Sequence, residues 1–325
     1  MRKTAAVILI MLGVFCLAVS NVFAEQGEKF FSASKKFSDG KRLYFVEAFS
    51  NRVLINACSQ TDDIINPVVV IGQTDPAKSI PNSDGVSARS LCSPSSAITD
   101  GDILAIADTG NSRVLIYNSI PTSNYAAADV VLGQPDFTSN LPNSGGINAS
   151  SMYFPKEIFY DGRKFYVSDT FNNRVLIYNS LPSKNFQPAD IVLGQVNFES
   201  NAPNPSGPDA ASLCFPAGVF GDGMCLFVAD EFNHRVKFYN DVPKYNNAPC
   251  NAVIGQVEFT SNEPNQGKMT PSATSLHSPN SISFDSSGLY VSDFGNNRIL
   301  VYERFPRQNG QVANAVLGQS GFTTR

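Results

Sequence analysis

Five carboxylates recur along the chain at a fixed interval: Glu47, Asp108, Asp169, Asp230 and Asp293, in steps of 61, 61, 61 and 63 residues. Five arginines follow them, each five residues on: Arg52, Arg113, Arg174, Arg235 and Arg298. Equivalent acids converging on one point would suit a divalent cation. Acids each held beside their own arginine would instead serve a turn. The local context favours the second chemistry. Asp169 ends an apolar run just before "TFNN", where its side chain is expected to accept hydrogen bonds from the amides of the turn. Arg174 opens the next apolar run, placed to pair with a carboxylate or cap a neighbouring carbonyl. A residue written into every unit is expected to serve the repeated geometry.

The remaining chemistry-bearing residues are few. The chain has two histidines, His234 and His277. His234 replaces Asn173 of the preceding unit, and His277 lies two residues before Pro279. Two imidazoles fall short of a three-ligand catalytic metal centre, and both read as surface residues. No GxSxG elbow, HExxH helix or phosphate-binding glycine loop occurs. No metal and no cofactor is expected from the residue pattern. Beyond residue 24 lie Cys58, Cys92, Cys214, Cys225 and Cys250, an odd number whose placement disfavours pairing. Cys92 and Cys214 are two units apart. Cys225 and Cys250 start strands separated by a third, about 9–10 Å at ordinary strand spacing. Free thiols are the expectation. Phe49, Phe171, Phe232 and Phe294 lie in or beside the repeated turns, where packing is the simpler role.

These residues are positioned by a repeat. A Gly-Gln pair at Gly72, Gly133, Gly194, Gly255 and Gly318 keeps the same steps as the acids and arginines, so three independent markers share one period. Within the third unit "KEIFYDG", "KFYVSD", "RVLIYN" and "DIVLGQ" each read as a short strand, rich in β-branched and aromatic residues and separated by Gly, Asn and Asp. Val175 and Ile177 point to one face and Leu176 and Tyr178 to the other, so both faces are apolar. A lone solvated sheet would alternate with polar residues. Five units of four strands, each covered on both sides, predict an all-β chain: a five-bladed β-propeller with repeats near 33–73, 94–134, 155–195, 216–256 and 279–319. First-strand residues Ile98, Ile158, Val219 and Ile282 are the candidates for an apolar central lining.

The phrases "LYVSDFGNNRILVY" and "VSDTFNNRVLIY" resemble NHL repeats, and residues 33–322 resemble bacterial exported propellers of that family. The resemblance implies a propeller, and makes a six-bladed arrangement the alternative to five. The family includes protein-binding and RNA-binding propellers, amidating lyases and lactonase-type enzymes, so the repeat leaves the activity open.

Residues 1–24 read as a secretory signal: Arg2 and Lys3, the apolar run "AAVILIMLGVFCLAV", then "VFA" at a cleavage point after Ala24. The mature chain, 25–325, is expected to be an exported monomer, periplasmic or extracellular, without a membrane span. A net charge of −4 without a basic patch argues against nucleic acid as a partner. Long links such as "PDFTSNLPNSGGINASSMYF" and "VNFESNAPNPSGPDAASLCF" are expected to share one rim with the repeated turns. Residues 135–150 read as polar loop that the fold can lose cheaply. The expected site is on that rim, at Phe171, Asn172, Asn173, Phe232, Asn233, His234 and His277. The expected function is non-enzymatic binding of a protein, peptide or small ligand. The alternative is a hydrolase or lyase with a divalent metal on the central axis.

Overall fold

The computed structural model describes residues 35–57 and 69–325. The signal segment, the start of the first repeat near Ala33, and Cys58 lie outside the described residues. The chain is an all-β, five-bladed propeller of five four-stranded antiparallel sheets, each joining strands in chain order. The blades are β1–β4 (Lys35–Ser38, Arg42–Glu47, Arg52–Ala57, Val69–Ile71), β5–β8 (Ser96–Thr99, Leu104–Asp108, Arg113–Tyr117, Val130–Leu132) and β9–β12 (Pro155–Tyr160, Phe165–Asp169, Arg174–Tyr178, Ile191–Leu193). Then follow β13–β16 (Pro216–Gly221, Leu226–Asp230, Arg235–Tyr239, Ala252–Ile254) and β17–β20 (Pro279–Asp285, Gly288–Asp293, Arg298–Tyr302, Ala315–Leu317). Five blades are present rather than six.

The described residues form two compact units. The first takes those up to Gly145 with Ser150–Pro155 and Ser183–Gln187, and so holds the first two blades; the second takes Gly146–Ala149, Lys156–Pro182 and Pro188–Arg325. In the first unit Tyr44, Val46, Val53 and Ile55 of one sheet join Ala97, Leu104, Ile106 and Leu115 of the next in one core. In the second unit Val175, Ile177 and Leu193 pack with Val219, Leu226 and Val228, and Phe227, Phe238 and Ile254 with Ile282, Leu289 and Leu300. The middle strands of the fourth blade thus find apolar partners on both faces, and each such contact removes apolar area from water at roughly 25 cal/mol per Å².

The first strands depart from the expected register at one place. Val219 faces Val228 and Ile282 faces Val291, but the residue in the matching register of β5 is Ala97, opposite Ile106. Ile98 lies one position on and is half-buried. Register shifts between Pro216 and Gly218 and between Pro279 and Ser281 interrupt the pairing just before this point. Ala97, Ile158, Val219 and Ile282 are all buried, and Ala97, Val219 and Ile282 are members of the core clusters.

Candidate functional site

Between the second and third strands of every blade the chain makes one three-residue 3-10 turn, closed by a residue in left-handed conformation: Asn51, Ser112, Asn173, His234 and Asn297, at φ of 51–52°. Asparagine tolerates that conformation better than most residues, which accounts for three of the five.

The acid before the turn does not cap it. No side-chain bond runs from Asp108, Asp169, Asp230 or Asp293 to the amides of its own turn, contrary to the local hydrogen bonding expected from the sequence. Each carboxylate reaches further. Oδ1 of Asp108, Asp230 and Asp293 accepts the backbone N–H of Cys92, Cys214 and His277, at 2.7, 2.7 and 2.6 Å. These donors belong to the link that enters the blade. Oδ2 accepts the side-chain amide three residues on, from Asn111, Asn172, Asn233 or Asn296, each at 2.8 Å. It also accepts Nε of the arginine, at 2.8 Å from Arg113, 2.7 Å from Arg174, 2.8 Å from Arg235 and 2.6 Å from Arg298. Glu47 and Arg52 form the corresponding pair at 2.5 Å.

The guanidinium completes the network through the links. Arg113 donates to the carbonyls of Ser87 and Ser90 before its blade, at 2.9 and 3.0 Å, and of Phe137 after it, at 2.7 Å. Arg174 donates to Phe198 O at 2.5 Å, and Arg235 and Arg298 donate to the carbonyls of Phe259 and Phe322. All five arginines are fully buried. An ion pair buried this completely is tolerable where neighbouring amides and carbonyls engage its other atoms, as around Asp108–Arg113, whereas Glu47 Oε1 of the first pair has no hydrogen-bond partner. The links are therefore part of the packed structure, and the stretch 135–150 is not the dispensable loop its composition suggests: Phe137 O holds Arg113, Leu141 O accepts Gln134 Nε2 at 2.9 Å, and Asn143 N donates to Met152 O at 2.9 Å.

Three of the seven expected rim residues fall inside this network. Asn172 is bound to Asp169. Asn233 is bound to Asp230 and forms a reciprocal amide pair with Asn204, at 2.7 and 3.0 Å. Asn173 donates to Asn201 O at 3.0 Å and accepts the N–H of Phe215 at 2.8 Å. All three are buried.

The other four lie outward and fall into two groups, both in the second unit. Phe171 and Phe232 are 36% and 49% exposed. They are joined by Phe215, whose ring meets Phe171 edge-on at 5.3 Å and stacks on Phe232 at 4.6 Å. Phe215 was not among the expected site residues, although it stands directly before Pro216 in the link. Its φ of 51° is costly for so large a side chain, and the bond from its N–H to Asn173 Oδ1 holds it there. Phe294 adds another exposed ring on the last blade, and Phe49 an exposed ring on the first.

The second group is the pair of histidines. Their rings stand edge to face with centroids 5.2 Å apart. His234 does the work of the asparagine it replaces: its Nδ1 accepts the N–H of Ser278 at 3.0 Å, as Asn173 Oδ1 accepts that of Phe215. An accepting Nδ1 puts the ring proton on Nε2, so His234 offers a donor outward rather than a metal-binding lone pair. Burial, and secondarily the charge of His277, depress its pKa to about 4. His277 Nδ1 has no hydrogen-bond partner, and its ring lies over Gly295, where an added Cβ would come within 2.5 Å of it.

Two further groups bear on chemistry. Lys237 is fully buried in β15, where the other described blades carry Leu54, Leu115, Leu176 and Leu300. Its Nζ donates to Ala210 O at 3.0 Å, and burial lowers its pKa to about 8. A single lysine in a column of leucines was legible in the sequence. Cys92, Cys214, Cys225 and Cys250 are free thiols, and burial pushes the Cys214 and Cys225 thiols up to about 11 and 12, which keeps them protonated and weakly nucleophilic. Among the described residues no three or more His, Cys, Asp or Glu side chains gather in a way that could hold a metal ion, and no helix is long and apolar enough to cross a membrane.

No protein-family model and no curated protein matches the chain. Solved structures similar to it are of low sequence identity. A catalytically inactive virginiamycin B lyase from Staphylococcus aureus, with quinupristin, is 12% identical over 84% of this chain and 67% of its own, with a TM-score of 0.45. A streptogramin B lyase is 13% identical over 84% of this chain and 66% of its own, also at 0.45. A protein assigned as a 6-phosphogluconolactonase from Bacteroides fragilis NCTC 9343 is 12% identical over 84% and 66%, at 0.47. The chain spans about two thirds of the length of these proteins.

Proposed function

We propose that this chain is an exported NHL-type propeller that acts as a non-enzymatic binding scaffold, with its ligand, a protein or peptide, held on the rim formed by the repeated turns and the links entering them. One observation carries this reading. The charged residues repeated in every blade are consumed in internal networks, whereas the side chains left outward around the turns of the second unit include flat rings: Phe171, Phe215, Phe232, Phe294 and the two histidines. Partly exposed aromatics on a rigid base are the usual anchors of recognition surfaces, large in area and low in conformational entropy. Titratable groups poised for acid–base work would be accessible; Asp169 and Lys237 are fully enclosed.

The test is capture. The mature chain, immobilised, is presented with an extract of the exporting compartment, with and without a chelator. A partner retained by the wild type and lost on Phe171→Ala plus Phe232→Ala, at unchanged melting temperature and independently of chelator, is the expected result. Retention that survives the double substitution, or that vanishes with chelator, overturns the reading.

A further inference from the structure

The rim repeats its backbone more faithfully than its side chains. A link residue with positive φ precedes the proline at or just before the first strand of each later blade: Ser93 at 46°, Phe154 at 57°, Phe215 at 51° and Ser278 at 50°. Its N–H bonds to the residue that closes the previous blade's turn: Ser93 to Asn51 at 2.8 Å, Phe215 to Asn173 at 2.8 Å and Ser278 to His234 at 3.0 Å. The residue before it then accepts an amide from the following turn: Gly110 to Cys92, Phe232 to Cys214 and Gly295 to His277, at 2.9, 3.1 and 2.8 Å. Ser278 and Gly295 thus occupy, one blade on, the places of Phe215 and Phe232.

Where the third blade meets the fourth, those places hold three rings in contact: Phe171, Phe215 and Phe232. Where the fourth meets the fifth, the sequence of places reads Phe232, Ser278, Gly295. The row of phenylalanine rings stops at Phe232, with a serine where the next ring would stand and, beyond it, a glycine covered by the ring of His277. Phe232 is 49% exposed. The same small pair, Ser93 and Gly110, follows Phe49 in the first unit, but there Asn51 and Cys92 stand in the places of His234 and His277.

We infer that the open step at Ser278 is a binding notch for an aromatic side chain of a peptide partner, whose ring meets Phe232 edge-on, as Phe215 meets Phe171 one blade earlier. The protein supplies its own precedent for the occupant: Phe215 is an aromatic side chain presented by a strip of peptide lying across a turn. The histidines distinguish this notch from the one beside Phe49. His234, neutral with its proton on Nε2, offers a hydrogen-bond donor suited to a peptide carbonyl, and these are the only two histidines in the chain. The inference rests on the binding function proposed above and narrows it to one place and one side-chain chemistry.

The experiment uses the full mature chain and two probes, N-acetyl-phenylalaninamide and N-acetyl-leucinamide, observed by saturation-transfer NMR. The two imidazole signals serve as reporters on the protein. The aromatic probe is expected to receive roughly threefold or more greater saturation than the aliphatic one and to shift the imidazole resonances. Ser278→Phe puts the repeat's own ring into the notch at a backbone angle that Phe215 already adopts, and should abolish the effect. Ser93→Phe, at the other open step, should leave it intact. Phe232→Ala, a change at an exposed ring, provides a second loss variant should Ser278→Phe fail to fold. Equal saturation of the two probes, no saturation at all, persistence in Phe232→Ala, persistence in folded Ser278→Phe, or loss in Ser93→Phe would each overturn the inference. A wild type that captures a partner from the extract yet ignores the aromatic probe would leave the binding function standing and remove only the notch.

Discussion

Two neighbouring steps of the rim, Phe171–Phe215–Phe232 and Phe232–Ser278–Gly295, share one backbone and differ in almost every outward side chain. In both, an N–H from the link bonds to the residue closing a turn, and a link carbonyl accepts an amide from the next turn. In both, the acid before the turn and the arginine after it are buried and paired. The closed step covers this scaffold with three phenylalanine rings in contact, and the open step puts Ser278 and Gly295 there, with the ring of His277 over Gly295. The inner network thus fixes where the chain runs, and a handful of positions decide what the surface offers. Conformation and recognition are written in different residues.

The largest expected effect comes from breaking what the two steps share. Arg174→Ala removes a guanidinium with Asp169 at 2.7 Å and leaves that carboxylate buried without its cation. The cost expected is about 3–5 kcal/mol, a fall in melting temperature of roughly 10 °C for a chain of this size, measured by calorimetry on the mature protein. A change of only a degree or two would mean that the carboxylate is satisfied without the arginine, and the network would lose its place as the common frame.

A smaller effect separates the two steps by pH. His234 is held neutral in the folded chain, with a pKa of about 4, below the ordinary imidazole value of 6.5. The unfolded chain therefore binds the proton more readily. The stabilisation is complete above about pH 6.5 and declines as pH falls towards 4. Because the side chain is partly open to solvent, the loss expected is about 1–2 kcal/mol. His234→Asn restores the residue used at the closed step, and should remove this part of the acid sensitivity. Melting curves at pH 7, 5.5 and 4.5 for both proteins provide the measurement; parallel decline in the two would assign the effect elsewhere.

The smallest effect comes from turning the closed step into an open one. Phe215→Ser loses two aromatic contacts, of about 0.5–1.5 kcal/mol each at most, but relieves a bulky residue of a positive φ. A net destabilisation of about 1 kcal/mol is expected by chemical denaturation. The variant has three open steps, only one of them beside histidines. Its aromatic-probe binding compared with wild type shows whether an open ring stack alone suffices.

The blades were legible because their signals are local. Val175–Tyr178 reads as a strand covered on both faces, and Asp169 and Arg174 mark its turn at constant spacing. The partners of those residues were not legible. Asp108 meets the amide of Cys92, 16 residues back, and Arg113 meets Phe137, 24 residues on, because links that look like polar loop fold back against the turn. Composition cannot reveal that folding back. It misled most at 135–150, where Ser, Asn, Gly and Pro conceal a set of obligatory carbonyl acceptors. The shift from Ile98 to Ala97 has a different reason: Ile158, Val219 and Ile282 each stand three residues after a proline, and three residues after Pro94 the chain carries a small alanine, with the more conspicuous Ile98 one position beyond it. On the rim, Phe171 and Phe232 could be named from the repeat, but Phe215 lies outside the repeated phrase and only the fold brings it between them.

The arginine tie also bears on how such a chain can grow. Arg113 draws acceptors from the link before its blade and the link after it. A gene segment encoding four strands alone would carry the cation and omit the oxygens that receive it. The heritable module is therefore a sheet with portions of both flanking links, and a duplication cut at the visible edges of a sheet would yield a misfit copy. The near-constant step of 61 residues follows naturally: material can be added only where it leaves those carbonyls in reach, as the two extra residues between Asn265 and Leu276 do.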